Sequence, residues 1–501
     1  MRTQVDLSAL PQDVLCEPEK AEPQRSEEPE QQAPEPEQAD KPLSKKDLVR
    51  VHETAVICKE QMAGVLKRGL VRCAESADDG FEIAAVRCHA AKMADAEKAV
   101  RELGSRLGDC LDRRAAFDER VFTQRLCECE RRIDKLLADD LTESSLGSFK
   151  KTYTDYNSTL VMLPIGARQV TEGDYVGGIY YFLDLDSTRE HRFLSYSDLR
   201  PVFYENMSRA RQGSSEVWGA GVTIKSLMHS KLTLIGAKVS GGHLSSSAQT
   251  TIAAQERANL NCSAFRKMIV NSLPEIAITL SKRDTSDETG RLFLFHPKEL
   301  LGFEFDKVTQ QLEAQLSDGT NAVRMNAKYT ANTKELIEQL EAHLKKMQQN
   351  PNGYYVWLVS AYFEDGELAL FPIEMYDFIL PFEEKVYSLP KEFENIGQRA
   401  EYANKIGLLF DEIEDKLCEL TRSGIGAGLN GMQKLLQLSK DFGLETLCTL
   451  YEGFYKSAEG YRHSTRDKSV EVLEKMSAVY SYISLARKRL ALISALYNMR
   501  L

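Results

Sequence analysis

From Leu48 to Gly69 apolar or small residues recur at alternating spacings of three and four (Leu48, Val51, Ala55, Cys58, Met62, Val65, Gly69), the period of one buried helix face. Ser44, with Asp47 three residues on, supplies a helix-start signal ahead of that stripe. Ser76-Ala-Asp-Asp-Gly80 reads as a turn. Val86, Ala90, Met93, Val100, Leu103, Leu107 and Cys110 then predict a second helix, and Phe117, Val121, Leu126, Cys129, Ile133 and Leu136 a third. Residues 44–140 are expected to form a helical hairpin or coiled-coil-like domain.

From about residue 158 the period changes to two. Lys231–Ser240 and His243–Ile252 flank Gly241-Gly242. Leu312, Ala314 and Leu316 alternate up to Asp318-Gly319, and Val323, Met325, Ala327 and Tyr329 alternate back. Tyr354–Phe363 and Glu367–Ile373 flank Asp365-Gly366, a dipeptide suited to the turn that matches strand twist. Ile276, Ile278 and Leu280 alternate ahead of the strand Leu292–Phe295. One helix, from Asn332 with Leu336, Ile337, Leu340 and Leu344 on a face, interrupts the hairpins. Sequential hairpins favour antiparallel sheet, so residues 158–387 are expected to be a β-rich α+β or barrel-like domain.

Residues 388–501 return to the helical period, split by the Gly-rich stretch Ser423–Gly431. The last stretch, Asp467–Leu501, would run about 50 Å at 1.5 Å per residue. Its apolar positions (Val472, Leu473, Met476, Val479, Ile483, Leu492, Leu496 among them) cover more than half the circumference. Such a helix must be buried among neighbours or against another chain.

Proline agrees with this division. Seven of 15 prolines fall in the first 42 residues and the other eight lie between Pro164 and Pro390. Proline inside a helix costs about 3 kcal/mol, so the proline-free stretches at either end suit helical blocks. Residues 1–43 carry 11 acids and four bases, a net of −7 out of the chain's −11. They are expected to be a disordered acidic Pro/Glu tail, with 141–157 as a linker. The fold class expected is therefore multidomain α+β: an acidic tail, an N-terminal helical block, a central antiparallel β-rich domain and a C-terminal helical bundle.

The 458 residues after the tail carry a net of only −4, which leaves no electrostatic footprint for nucleic acid. Ten cysteines lack a disulfide-type spacing, and Met1–Leu15 has no uninterrupted apolar run of a secretory signal. The longest apolar run, Tyr354–Phe363, is about half of what a membrane span needs. A cytoplasmic protein with reduced thiols and no membrane association is expected.

Three patterns carry possible chemistry. Asp184 and Asp186 follow the apolar strand Ile179–Leu183; two carboxylates two apart on a strand share a face and suit a Mg²⁺. Asp184-Leu-Asp186-Ser-Thr188 resembles the first motif of haloacid-dehalogenase-like phosphotransferases, which implies a nucleophile and an acid/base among the two. The surrounding hairpins are not that family's alternating strands and helices, and a polar strand end entering a turn is preferred. Gly424, Gly426 and Gly428 precede a helix in the manner of a phosphate cradle, but they follow a helix rather than a strand and lack the Walker lysine, which favours a helix–helix connector. Cys127-x-Cys129 has no zinc-knuckle spacing, and residues two apart on a helix point about 200° apart. No catalytic residue, cofactor or metal is therefore assigned. The preferred function is a non-enzymatic interaction or scaffold protein whose partners are other proteins, with self-association through 44–140 or 467–501. The alternatives are a nucleic-acid-binding barrel, with Tyr354–Trp357 stacking bases and the tail as autoinhibitor, and a Mg-dependent phosphotransferase using Asp184 and Asp186.

Overall fold

The structure, a computed structural model, describes residues 41–499 apart from short segments, the longest being 202–215. Residues 1–40, the bulk of the expected tail, lie outside the described residues. The fold is mixed α+β. Its helices are α1 (Lys45–Arg68), α2 (Asp79–Ala90), α3 (Ala94–Leu111), α4 (Glu119–Lys135), α5 (Ile224–Leu227), α6 (Ser263–Arg266), α7 (Leu273–Lys282), α8 (Lys334–Gln349), α9 (Ile396–Ser423), α10 (Met432–Asp441), α11 (Glu445–His463) and α12 (Ser469–Asn498). Strands β1 (Thr154–Asp155), β2 (Leu160–Glu172), β3 (Tyr175–Asp184), β4 (Phe193–Pro201), β5 (Ser230–Ile235), β6 (Lys238–Ser240), β7 (His243–Leu244) and β8 (Thr251–Arg257) form one sheet. Strands β9 (Ile269–Val270), β10 (Leu292–Phe295), β11 (Glu299–Asp306), β12 (Gln311–Ser317), β13 (Ala322–Lys328), β14 (Tyr354–Glu364) and β15 (Glu367–Phe378) form a second.

Local rules account for the helix starts. Ser44 Oγ accepts the Asp47 N–H at 3.2 Å and caps α1; Asp118 does the same for α4 through the Arg120 and Val121 N–H groups. The second predicted stripe, however, is two helices. Lys92 takes a left-handed φ of 61°, and Met93 N–H returns to Cys88 O at 2.9 Å, closing α2 before α3 begins.

The first sheet has the order β1-β6-β7-β4-β3-β2-β5-β8 and the second β11-β12-β13-β15-β14-β10-β9. Most pairs are antiparallel; β4/β7, β9/β10 and β13/β15 are parallel. Asp365 and Gly366 both have positive φ, 50° and 76°, which gives the β14/β15 hairpin the turn its twist requires. The Gly241-Gly242 turn joins only the short β6 and β7, while β5 pairs instead with β8. Ile276, Ile278 and Leu280 are not a strand: they lie on α7. Pro274 sits in that helix's first turn, where its missing N–H is harmless, and Leu273, Ile276, Ala277 and Leu280 follow the helical period into the core.

The sheets stack through Leu163, Ile165, Tyr181 and Phe193 on one side and Leu292, Leu294, Val356 and Leu358 on the other. The first sheet's far face packs on Trp218 and Leu227. The second's far face is covered by α7, α8 and the end of α12, through Ile276, Leu340, Leu492 and Leu496 against Trp357 and Val323. From Ile179 to Leu183 strand β3 is a continuous apolar run because both its faces are buried there.

The two helical blocks share a single core, in which Val51, Met62, Phe81 and Phe122 meet Phe410, Tyr451, Val472 and Met476. Helix α12 therefore enters two cores: Val472 to Ile483 belong to the bundle, and Leu492 to Met499 to the second sheet. The described residues from Pro42 onward form one compact unit. Among the described residues no helix is long and apolar enough to cross a membrane.

Candidate functional site

Asp184 and Asp186 do not share a strand face. Strand β3 ends at Asp184, and Asp186 lies beyond it. Asp184 Oδ1 accepts the Asp186 N–H at 2.9 Å, so the first carboxylate is turned onto the backbone of the second as an Asx turn. Asp186 Oδ1 accepts the N–H of Thr188 at 3.0 Å and its hydroxyl at 2.7 Å. Asp184 is fully buried, and burial pushes its carboxyl up to about 6. The Thr188 bonds hold Asp186 below the usual carboxylate range. The guanidinium of Arg192 donates to the Asp184 carbonyl at 3.1 and 3.2 Å.

The glycine stretch leaves α9 rather than a strand. Gly424, at φ 86°, returns its N–H to Leu420 O at 2.8 Å; Ile425 N–H goes to Leu66 O at 3.3 Å and Ala427 N–H to Gly424 O at 3.1 Å. These donors are committed to chain carbonyls. Gly426 presents its carbonyl to Arg462, and Gly428 lies outside the described residues. The first glycine serves packing: a Cβ on Gly424 would stand 2.8 Å from Lys67 O, and one on Gly69 2.4 Å from Gly424 N. The ends of α1 and α9 thus touch backbone to backbone. Cys127 and Cys129 are both buried. Cys58 Sγ lies 3.5 Å from Cys88 Sγ. In the aromatic hairpin Tyr355 and Trp357 are buried, with Trp357 Nε1 donating to Met347 Sδ at 3.3 Å; these two rings face the core and offer no base-stacking surface.

Several polar clusters were not evident from spacing. Lys59 lies inside the α1 apolar face, and its ammonium sits 3.3 Å from Glu130 Oε1, 2.7 Å from Asp134 Oδ1 and 2.6 Å from Glu474 Oε1. Those three carboxylates have the mutual spacing of a metal site, but the ammonium already holds their centre. Burial lowers the pKa of Lys59, and the bonds to Asp134 and Glu474 with the charge of Glu130 outweigh it, for a net rise. The cluster ties α1, α4 and α12 together. On the first sheet Ser195 Oγ meets His243 Nδ1 at 3.2 Å, and Arg168 Nε donates to Tyr181 Oη at 2.8 Å, which donates to Glu288 Oε1 at 2.5 Å. Ser195 and Tyr181 are buried; burial raises the Tyr181 phenol. The Ser195–His243 bond ties β4 to β7 from a buried position.

The open end of the second sheet differs. A groove of about 650 Å³ is lined by Glu304 of β11, Glu313 and Gln315 of β12, Arg324 of β13, Glu367 of β15 and Asn498 of α12. Glu304 and Glu313 stand directly opposite each other in the β11/β12 register, a like-charge pair that opposes sheet pairing unless a cation screens it. Arg324 pairs with Glu364 at 3.3 Å. Strand β11 is the sheet's edge and, among the described residues, pairs only with β12. These acids lie on the polar parity of strands whose alternation reveals the core, and the β-bulge at Leu300/Gly302 that sets the register leaves no sequence mark.

Comparisons with protein-family models, with curated proteins and with solved structures each gave no match.

Proposed function

We propose that this is a cytoplasmic, non-enzymatic interaction or scaffold protein that meets other proteins through its β and helical surfaces. The groove at the end of the second sheet carries the reading. It is open, it runs to the β11 edge, and among the described residues the side chains of Glu304, Glu313 and Glu367 have no hydrogen-bond or ion-pair partner, whereas the clusters around Lys59 and Tyr181 are paired within the chain. Self-association through the outer helices finds support on α1 and α2, where Val49, Val56, Ile83 and Val86 are exposed; the apolar face of α12 is largely spent within the chain.

A photo-reactive phenylalanine analogue placed at Leu301 or at Glu304, in the full chain in cell extract, is expected to give discrete adducts that are missing when the same group replaces Tyr402, an exposed residue on α9. If all three positions give the same products, or none, the groove is not an interaction surface and the proposal fails.

A further inference from the structure

The geometry points to strand β11 as the acceptor of an extended, Lys- or Arg-bearing segment of a partner protein, which adds to the second sheet as an eighth strand. This rests on the interaction reading above and names the partner's chemistry. An edge strand presents alternate N–H and C=O groups outward, a template for one more strand. Strand β11 contains no proline, and Leu300, Phe303 and Phe305 anchor it to the core, so the template is held rigid before a partner arrives. Leu301 remains 43 % exposed on it.

Charge selects the occupant. Glu304, Glu313 and Glu367 line the groove, and among the described residues none of their side chains has a hydrogen bond or ion pair. Adjacent strands lie about 4.8 Å apart. A lysine opposite Glu304 therefore has Glu313 one strand further on, within reach of its extended side chain. A second copy of this chain is the poorer occupant, because it brings the same acidic edge and a net charge of −11.

The probe is a labelled peptide of alternating lysine and valine, seven residues long by design, set against the same peptide N-methylated at every second amide. The two have equal charge and side chains, but only the first can complete a ladder. The full-length chain is expected to bind the unmodified peptide at least tenfold more tightly. Combined Glu304→Lys and Glu313→Lys should remove that preference, with an unchanged melting curve showing that the fold survives. A Leu301→Lys variant, also at an exposed position, repeats the test should the double variant melt early. Equal affinity for the two peptides means charge alone, on the groove or on the acidic N-terminal residues, and overturns strand addition. Dimerisation that the charge reversals abolish assigns the edge to a second copy and overturns it equally. If Leu301 and Glu304 adducts form while the peptides bind equally, the interaction reading stands and only strand addition falls.

Discussion

Asp184 holds its carboxylate in the protein interior at the end of β3, with the Asp186 N–H at 2.9 Å. Burial raises its pKa from 3.8 to about 6. The folded chain therefore binds this proton more tightly than the unfolded chain, and stability falls as pH rises from about 4 to about 6. Above that window the group is ionised in both states and the loss is complete. A shift of this size corresponds to roughly 3 kcal/mol at most. Asp184→Asn keeps an oxygen for the Asp186 N–H and removes the charge. It is expected to unfold at higher urea than the native chain at pH 7.5, by about 1–3 kcal/mol, and to match it near pH 4. A catalytic or Mg²⁺-binding Asp184 would be a carboxylate at neutral pH with little to gain from amidation, so equal stability of the two chains at pH 7.5 would contradict this account. At this scale the sequence identified the residue and not its role. Two acids in alternation look alike whether they flank an ion or fold into an Asx turn, and only the end of β3 distinguishes them. Lys59 gave the opposite difficulty: a lysine within an apolar stripe signals a buried charge, but its partners Glu130 and Glu474 lie on helices that no spacing brings near.

Among the elements, the junction of α1 and α9 rests on two glycines in contact. Gly424 has φ 86° and backbone atoms of Lys67 and Arg68 within 3.0 Å of any added Cβ, whereas a Cβ on Gly426 meets nothing within 4 Å. Gly424→Ala combines a left-handed backbone with a clash against main chain. It is expected to destabilise by about 2 kcal/mol or more, while Gly426→Ala stays within about 0.5 kcal/mol. Urea denaturation of the two single variants decides this; comparable losses in both would mean that the whole loop, not the crossing, demands glycine. Which elements were legible follows the same logic. The β12/β13 and β14/β15 hairpins could be read because Asp-Gly writes positive φ into the sequence. The break between α2 and α3 could not, since Lys92 adopts positive φ with no residue to announce it. Helix α7 was hidden by the alternation of Ile276, Ile278 and Leu280, whereas its helical period is carried by Leu273, Ile276, Ala277 and Leu280. Pairing of β5 with β8 rather than across the nearest glycine turn is a long-range choice, set by burial of Leu232 and Leu234 beneath Trp218.

For the molecule as a whole, α12 joins a helical core to a β core with one continuous backbone. Between its anchors, Ile483 in the bundle and Leu492 against the second sheet, no residue is fully buried, and Leu485 is 69 % exposed. Arg487 in that span reaches Asp411 and Glu414 of α9, and Arg489 lies over the Phe393 ring at 4.7 Å, so the span is held laterally while its outer face is open. Coupling through this continuous helix is expected to make the two cores unfold together. Both tryptophans, Trp218 and Trp357, belong to the β part, whereas most of the long helices belong to the bundle. Tryptophan fluorescence and far-ultraviolet circular dichroism therefore follow different halves of the molecule. In the native chain the two urea curves should coincide. Leu485→Pro removes an exposed side chain, deletes one helical hydrogen bond and clashes with the preceding turn, at a cost of about 3 kcal/mol or more. Its expected result is two separated curves, while Leu485→Ala leaves them superimposed. Coincident curves in the proline variant would show that contacts outside α12 hold the cores together, and the helix would then be a passenger in the coupling rather than its cause.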